Sequence, residues 1–508
     1  MVWPMSSPRT ALLLVFLLAL SGCARDAAQG QDPIDVGGND VRDTATDDSG
    51  DTGDLPDADA TTPDIADVGD DVDAAEPPPP WDPRLPDTAG LGTRRGLRFG
   101  RGIVHLHSIH SHDACDYTPR VDGEYNEPCL QSWRDAVCAT RQDVVFLTEH
   151  EEHAAEVDFE ELLLRRRSDK LILRDGKPIA NELSCPDGHI VVVLPGGEFD
   201  VMPVGLDAHI EGTPEERAEF YNNATPGRVA RMRNELGAVV LQAHTESREI
   251  AQLRALNLDG FEIYNLHANI DPDIRKDYLG LDPWGFTQGV QPFVGREGPE
   301  PDLVLLGFLA PNEPALLAFD RLLSEGRTLV GTGGNDAHQN TIPLRMRDGE
   351  RVDSYRRMMR FVTHHFLVAE PTADAYKDAL RNGRTFVVFE TFATPANLDF
   401  YAERDGVFTE MGARARRGAT LRIPRPKVAG HEDADVPSTI TLLRAEFNGG
   451  VPVAEAVDDD LEFTPDRPGA YRAEIRINPT HLEPWLGDDP DAYLVSTPWI
   501  YTNPIYVE

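Results

Sequence analysis

The chain has 508 residues, a formal net charge of −39 and five cysteines. That length suits about two or three domains plus linkers. The charge argues against nucleic acid as a partner, because binding a phosphate backbone relies on clustered Lys and Arg.

Arg9 precedes an apolar run from Ala11 to Leu20 that ends in Leu20-Ser21-Gly22-Cys23. The run is shorter than the about 20 residues of a spanning helix, and the small residues before Cys23 suit a signal peptidase. Residues 1–22 are therefore expected to be a lipoprotein signal peptide, with Cys23 the acylated mature N terminus that tethers an exported protein to a membrane. Ala24, standing where an Asp often marks inner-membrane retention, points to the outer membrane, facing the periplasm or the cell surface. Residues 24 to 80 carry 17 acidic and 2 basic side chains and end in the run Pro77 to Pro80. Such a composition cannot bury enough surface to fold, so 23–90 reads as a disordered, self-repelling spacer. Cys115, Cys129, Cys138 and Cys185 remain, an even set that fits disulfides in an oxidising compartment, with the pairing open.

Over residues 96–390, short apolar runs alternate with helical patterns. The runs are Gly102 to Leu106, Val144 to Leu147, Ile190 to Leu194, Ala238 to Leu241, Phe261 to Tyr264 and Thr328 to Val330. The helical patterns include Glu215 to Leu236 and Pro314 to Ser324. Continuous apolar runs read as parallel strands buried on both faces. The expected fold class is α/β, with a closed or nearly closed barrel as the simplest architecture. After nearly every run comes a His, Asp or Glu: His105 and His107, Glu149 and His150, Glu198, His244, then Asp336 with His338. In a parallel barrel these are the carboxyl ends of the strands, which converge on one mouth. Imidazole plus carboxylate without thiolate suits Zn, Mn or Fe, and strand alternation in His105-Leu106-His107 points both rings to one face.

The motifs His105-Leu106-His107-Ser108, Leu147-Thr148-Glu149-His150, Gly196-Gly197-Glu198-Phe199, Ala243-His244, Gly260-Phe261-Glu262-Ile263-Tyr264-Asn265 and Asn335-Asp336-Ala337-His338 occur in that order. The region resembles the polymerase-and-histidinol-phosphatase (PHP) family, a distorted β/α barrel of metal-dependent phosphoesterases. The resemblance implies that His105, His107, Glu198 and Asp336 hold one divalent ion, and that Glu198 bridges to a second held by His244 and His209. It implies a third held by His150 and His338, completed by His112 or, next in order, Asp113. Glu149, Glu262 and Asn265 are expected to orient ligands from behind, and His110, His153 and His267 to be exposed or peripheral. Two or three ions would clamp a small ester substrate, a phosphate ester first, for attack by a metal-bound hydroxide with no catalytic protein side chain. Carboxylic or carbamic esters are open to the same cluster, and a non-catalytic surface-binding lipoprotein is the alternative from another class. Arg248, Arg101 and Arg384 are the basic candidates for holding a phosphate, and no protein partner can be read from the chain.

Residues 395–508 change character. Tyr471, Ala473, Ile475 and Ile477 alternate with Arg472, Glu474 and Arg476, the pattern of a strand with one buried and one wet face. With turn signals at Asn448-Gly449-Gly450 and Pro468-Gly469, this region is expected to be a small β-sandwich.

Overall fold

The first sheet-forming segments after residue 96 are rich in β-branched and aliphatic residues, and they stack side by side because neither face tolerates water. The computed structural model describes residues 79–150 and 154–508. The expected signal peptide, the acylated Cys23 and the acidic spacer up to residue 78 lie outside the described residues. Pro80–Glu508 belong to one compact unit.

The strands that carry the site are β1 (Leu97–Leu106), β2 (Val144–Phe146), β3 (Ile190–Leu194), β4 (Met202–Val204), β5 (Val239–Leu241), β6 (Gly260–Asn265) and β7 (Val330–Ala337). Neighbours in the order β6, β7, β1, β2, β3 are all parallel. The ten-residue β1 is long enough to serve two partners on one side. Its first half pairs antiparallel with β8 (Thr363–Val368), and its last residues pair parallel with β7. β4 and β5 form an antiparallel pair. Gly196 bridges to Val204, joining the end of β3 to β4. On the other side, Gln242 N–H donates to Gly260 O (3.2 Å) and Glu262 N–H to Gln242 O (3.0 Å), joining the end of β5 to β6.

β7 begins at the run expected over Thr328 to Val330 but continues through Gly331-Thr332-Gly333-Gly334-Asn335-Asp336-Ala337, which has no β signal of its own. Close packing explains the glycines: a Cβ on Gly334 would lie 2.1 Å from Glu262 Oε1, and one on Gly333 2.7 Å from Val387 Cγ1. The helix expected over Glu215 to Leu236 is two helices, α1 (Pro214–Tyr221) and α2 (Pro226–Asn234). Pro226 accounts for the break, since proline suits the first helical turn and not the interior; Thr225 caps the new start by accepting from Arg228 N–H.

The large sheet does not end at residue 390. β9 (Thr385–Val388) pairs with β8, and also with β13 (Thr497–Thr502), which leads on to β12 (Gly469–Ile477), β10 (Ser438–Glu446) and the edge strand β11 (Gly449–Val457). The described chain is thus mixed α/β with one large mixed sheet. A further four-stranded antiparallel sheet lies within the C-terminal region. The face of β12 expected to be wet is covered at Arg472. Its guanidinium is buried and donates to both carboxylate oxygens of Asp320 at 2.7 Å, on the helix Glu313–Ser324.

Buried charge is also paired where β1 meets β8 and the segment after β9. Arg101 lies against Glu390 (Nε to Oε2 2.6 Å, Nη2 to Oε1 2.8 Å), and both side chains are fully buried. The disulfides are Cys115–Cys129 and Cys138–Cys185. Among the described residues no single helix is long and apolar enough to cross a membrane.

Candidate metal centre

Parallel strands end on one side of a sheet, and the chain uses that side for its polar side chains. His105 and His107 stand at the end of β1. Glu149-His150, just beyond β2, pairs in parallel register with Gly197-Glu198, just beyond β3, so Glu198 lies beside His150. His244 follows β5, Glu262 and Asn265 are on β6, and Asp336 with His338 closes β7. Three of these residues have positive φ: His105 (77°), His244 (49°) and Asp336 (51°). Non-glycine residues take such angles at a cost that is usually met at functional sites.

One group comprises His105, His107, Glu198 and Asp336. His105 Nε2 lies 3.1 Å from His107 Nε2, 3.2 Å from Glu198 Oε2 and 3.3 Å from Asp336 Oδ1. His107 Nε2 lies 3.4 Å from Glu198 Oε2 and 3.2 Å from Asp336 Oδ1. The tautomers follow from what stands behind the rings. His105 Nδ1 donates to Glu262 Oε1 at 2.6 Å. His107 Nδ1 lies 2.9 Å from Ser111 Oγ, whose own proton goes to Glu149 Oε2 at 2.8 Å, so the imidazole is the donor. With Nδ1 donating in both rings, the two Nε2 atoms face each other and two carboxylates, an arrangement that only positive charge, a proton or a metal ion, relieves. Metal–ligand bonds of about 2.0–2.1 Å in a tetrahedral array would place donor atoms about 3.3 Å apart. The donor set and its spacing fit a divalent cation, and Asp336 Oδ1 is buried with no hydrogen-bond donor.

A second group joins His244, His267 and Asp336. His244 Nε2 is 3.0 Å from Glu198 Oε1 and 3.4 Å from Asp336 Oδ2, and His267 Nδ1 is 2.9 Å from Asp336 Oδ2. Glu198 and Asp336 each turn one oxygen to each group. A third group is His107, His150 and His338. His150 and His338 meet Nε2 to Nε2 at 3.0 Å, with Asp113 Oδ1 3.5 Å from His150 and Oδ2 3.4 Å from His338. The His112 ring centroid is 5.2 Å from that of His150, and among these acid and imidazole donors it is Asp113 that faces both rings.

Electrostatics support the same reading. Burial pushes Glu198 and Asp336 up, but the adjacent imidazoles outweigh it and hold both well below the carboxylate range. Burial likewise opposes charge on His105 and His244, yet the surrounding carboxylates hold both well above an ordinary imidazole. Burial lowers His338 to about 3, helped by His107; His150, also buried, is raised to about 9 through its bond to Asp113.

His209 lies apart from the three donor groups, and His267 lies within one of them. His209 Nε2 lies 3.1 Å from Val157 O, its ring packs near Phe159 and Tyr221, and burial with Arg217 nearby lowers it to about 4. It is in no donor group among the described residues. His267, expected to be exposed or peripheral, stands on the short helix Leu266–Ile270 just after β6. Of the basic candidates, Arg101 is locked on Glu390 and Arg384 pairs with Asp378. Arg248 is about a third exposed, with Nη1 3.8 Å from Asp200 Oδ1 and Nε without a partner.

No protein-family model matches the chain, and no curated protein does. A solved structure that is similar is a two-domain protein from Bacteroides vulgatus ATCC 8482 containing a predicted PHP-like metal-dependent phosphoesterase. It shares 13% identity with a TM-score of 0.28, over 83% of this chain and 98% of that one.

Proposed function

We propose that the chain is a metal-dependent hydrolase of ester bonds, phosphate esters first, of the PHP type. The observation that carries the reading is the convergence of His105, His107, Glu198 and Asp336, with their lone pairs facing inward and their rings fixed from behind. The strand circuit from β3 through β4, β5, β6, β7, β1 and β2 supports a distorted barrel as the scaffold. We assign His244 and His267 to a second position that Glu198 and Asp336 share with the first, and His150, His338 and Asp113 to a third. His209 is left out. Bound divalent ions would supply activated water and charge stabilisation for the leaving and attacking oxygens.

The protein's own side chains set the geometry for that chemistry. Glu262 holds His105 through Nδ1 and His244 through its backbone N–H (3.0 Å). Ser111 accepts from His107 Nδ1 and from His150 N–H (3.1 Å) and passes its proton to Glu149, so one hydroxyl sets two ligands. Arg248, four residues after His244 and about a third exposed, is the side chain we assign to hold an anionic oxygen of the substrate through a charge-assisted bond suited to phosphate. Lipid attachment at Cys23 would keep this activity at a membrane surface.

Elemental analysis of the purified chain after loading with Mn, Fe or Zn, beside hydrolysis of a phosphomonoester, a phosphodiester and a carboxylic ester, tests the proposal. Bound ions with turnover lost in His107→Ala are expected. A folded wild type that takes up no metal from any of the three refutes it.

A further inference from the structure

Asp113 reaches His150 and His338 from a loop with an unusual backbone. Cys115, Asp116 and Tyr117 have φ of 59°, 56° and 61°. Three consecutive non-glycine residues in the left-handed region are individually costly and rarely adjacent, and they persist only where the surroundings over-determine them. Several contacts do so. The N–H groups of Cys115 and Asp116 donate to the carbonyls of His338 (3.0 Å) and Gln339 (3.1 Å). Asn340 Nδ2 donates to the backbone oxygen and to Oδ2 of Asp113, both at 3.0 Å, and Arg351 pairs with Asp116. The covalent contact is Cys115–Cys129, which ties the loop two residues past Asp113 to the helix Glu127–Ala139.

We propose that the Cys115–Cys129 disulfide is the positioning element for Asp113, so that the position formed by His150, His338 and Asp113 takes its cation only in the disulfide-bonded chain. The proposal rests on the metal-hydrolase reading. The other assigned ligands stand on or just beyond strands of the fold, apart from His267, which is on the short helix directly after β6. Asp113 itself has an ordinary φ of −97° but leads directly into the three left-handed residues Cys115 to Tyr117, and its carboxylate must lie within about 3.5 Å of two rings at once. Cys138–Cys185 joins the other end of the same helix to the residue after strand Lys177–Ser184. It provides a control in which a disulfide is lost without touching the Asp113 loop.

Equilibrium dialysis of the full chain against Zn²⁺, with folding checked by circular dichroism, tests this. The variants are Cys115→Ser/Cys129→Ser, Asp113→Asn, the combination of the two, and Cys138→Ser/Cys185→Ser. The first two are expected to weaken one class of ion about 10–100-fold, the usual effect of losing a ligand or its support, and to leave the other ions unchanged. Their combination is expected to be no weaker than Asp113→Asn alone, because both act on one carboxylate, and the control to keep every ion. Should the serine pair not fold, Cys115→Ala/Cys129→Val refills the buried space and takes its place. Full retention of all ions without the Cys115–Cys129 bond overturns the proposal, as does an equal fall in every ion, which would make the disulfide a general staple. A wild type without any metal overturns the hydrolase reading and this proposal together, whereas unchanged binding in the variant overturns this proposal alone.

Discussion

Glu262→Gln is a one-atom change whose effect can be worked out from the hydrogen bonds. Glu262 is fully buried and faces three donors. Oε1 accepts from His105 Nδ1 at 2.6 Å, and Oε2 accepts from His244 N–H at 3.0 Å and from Asn265 Nδ2 at 2.8 Å. A carboxylate can accept all three, but a glutamine amide replaces one oxygen with an NH₂ group. In either orientation a donor then meets a donor, at His105 or at the His244 and Asn265 pair. A buried donor stripped of its acceptor costs about 1–3 kcal/mol. Lost support behind a ligand weakens metal affinity about 10–100-fold, or about 1.4–2.7 kcal/mol at 1.36 kcal/mol per decade. The two estimates agree in size, so Glu262→Gln is expected to bind its tightest ions about 10–100-fold more weakly. Competition with a chromogenic chelator at fixed pH measures this, with thermal unfolding to confirm that the variant is folded. A folded variant with wild-type affinity would refute the argument that Glu262 sets the donor face of His105.

Gly334→Ala attacks the same carboxylate by sterics, since its Cβ would fall 2.1 Å from Glu262 Oε1; chelator competition is expected to show weakened metal binding here also. Arg248→Met is expected to raise KM for a phosphomonoester about tenfold, the low end for a bond to a charged group because the side chain is partly solvated, while metal content by elemental analysis stays constant. Glu390→Gln leaves the Arg101 guanidinium buried without its counter-charge, and urea unfolding at pH 7 is expected to show a loss of about 3–5 kcal/mol. Burial pushes Glu390 up, but Arg101 and His365 hold it well below the carboxylate range. A depressed folded-state pKa gives stability that is present above the unfolded value of about 4.3 and lost as pH falls through the folded value. The gap between wild type and variant is therefore expected to narrow below about pH 4, and a gap that stays constant down to pH 2 would contradict the assignment.

Several features of this molecule follow from local sequence. Continuous apolar runs at 102–106, 144–147 and 190–194 have no amphipathic face, so they must lie where both sides are covered, and all three form strands of the large sheet. His105-Leu106-His107 is legible because strand alternation puts positions 105 and 107 on one face, although the positive φ of His105 is set by the packed chain. Pro226 carries a local signal for a helix start, but the periodicity read over Glu215 to Leu236 runs through it. Other features were decided only by the packed chain. β7 is a strand despite Gly331, Gly333 and Gly334, because Glu262, Val362 and Val387 leave no room for side chains, and those neighbours are remote in sequence. That His267 comes to lie beside Asp336 depends on β6 lying against β7, 69 residues on in the chain. That Asp113 faces both His150 and His338 goes with a left-handed loop that no residue type announces, and the cysteine pairing depends on where the helix Glu127–Ala139 lies. Periodicity reports which face of an element is apolar, and that is a local property of the chain. Which polar groups meet is set by contacts between distant segments, and those exist only once the sheet has formed.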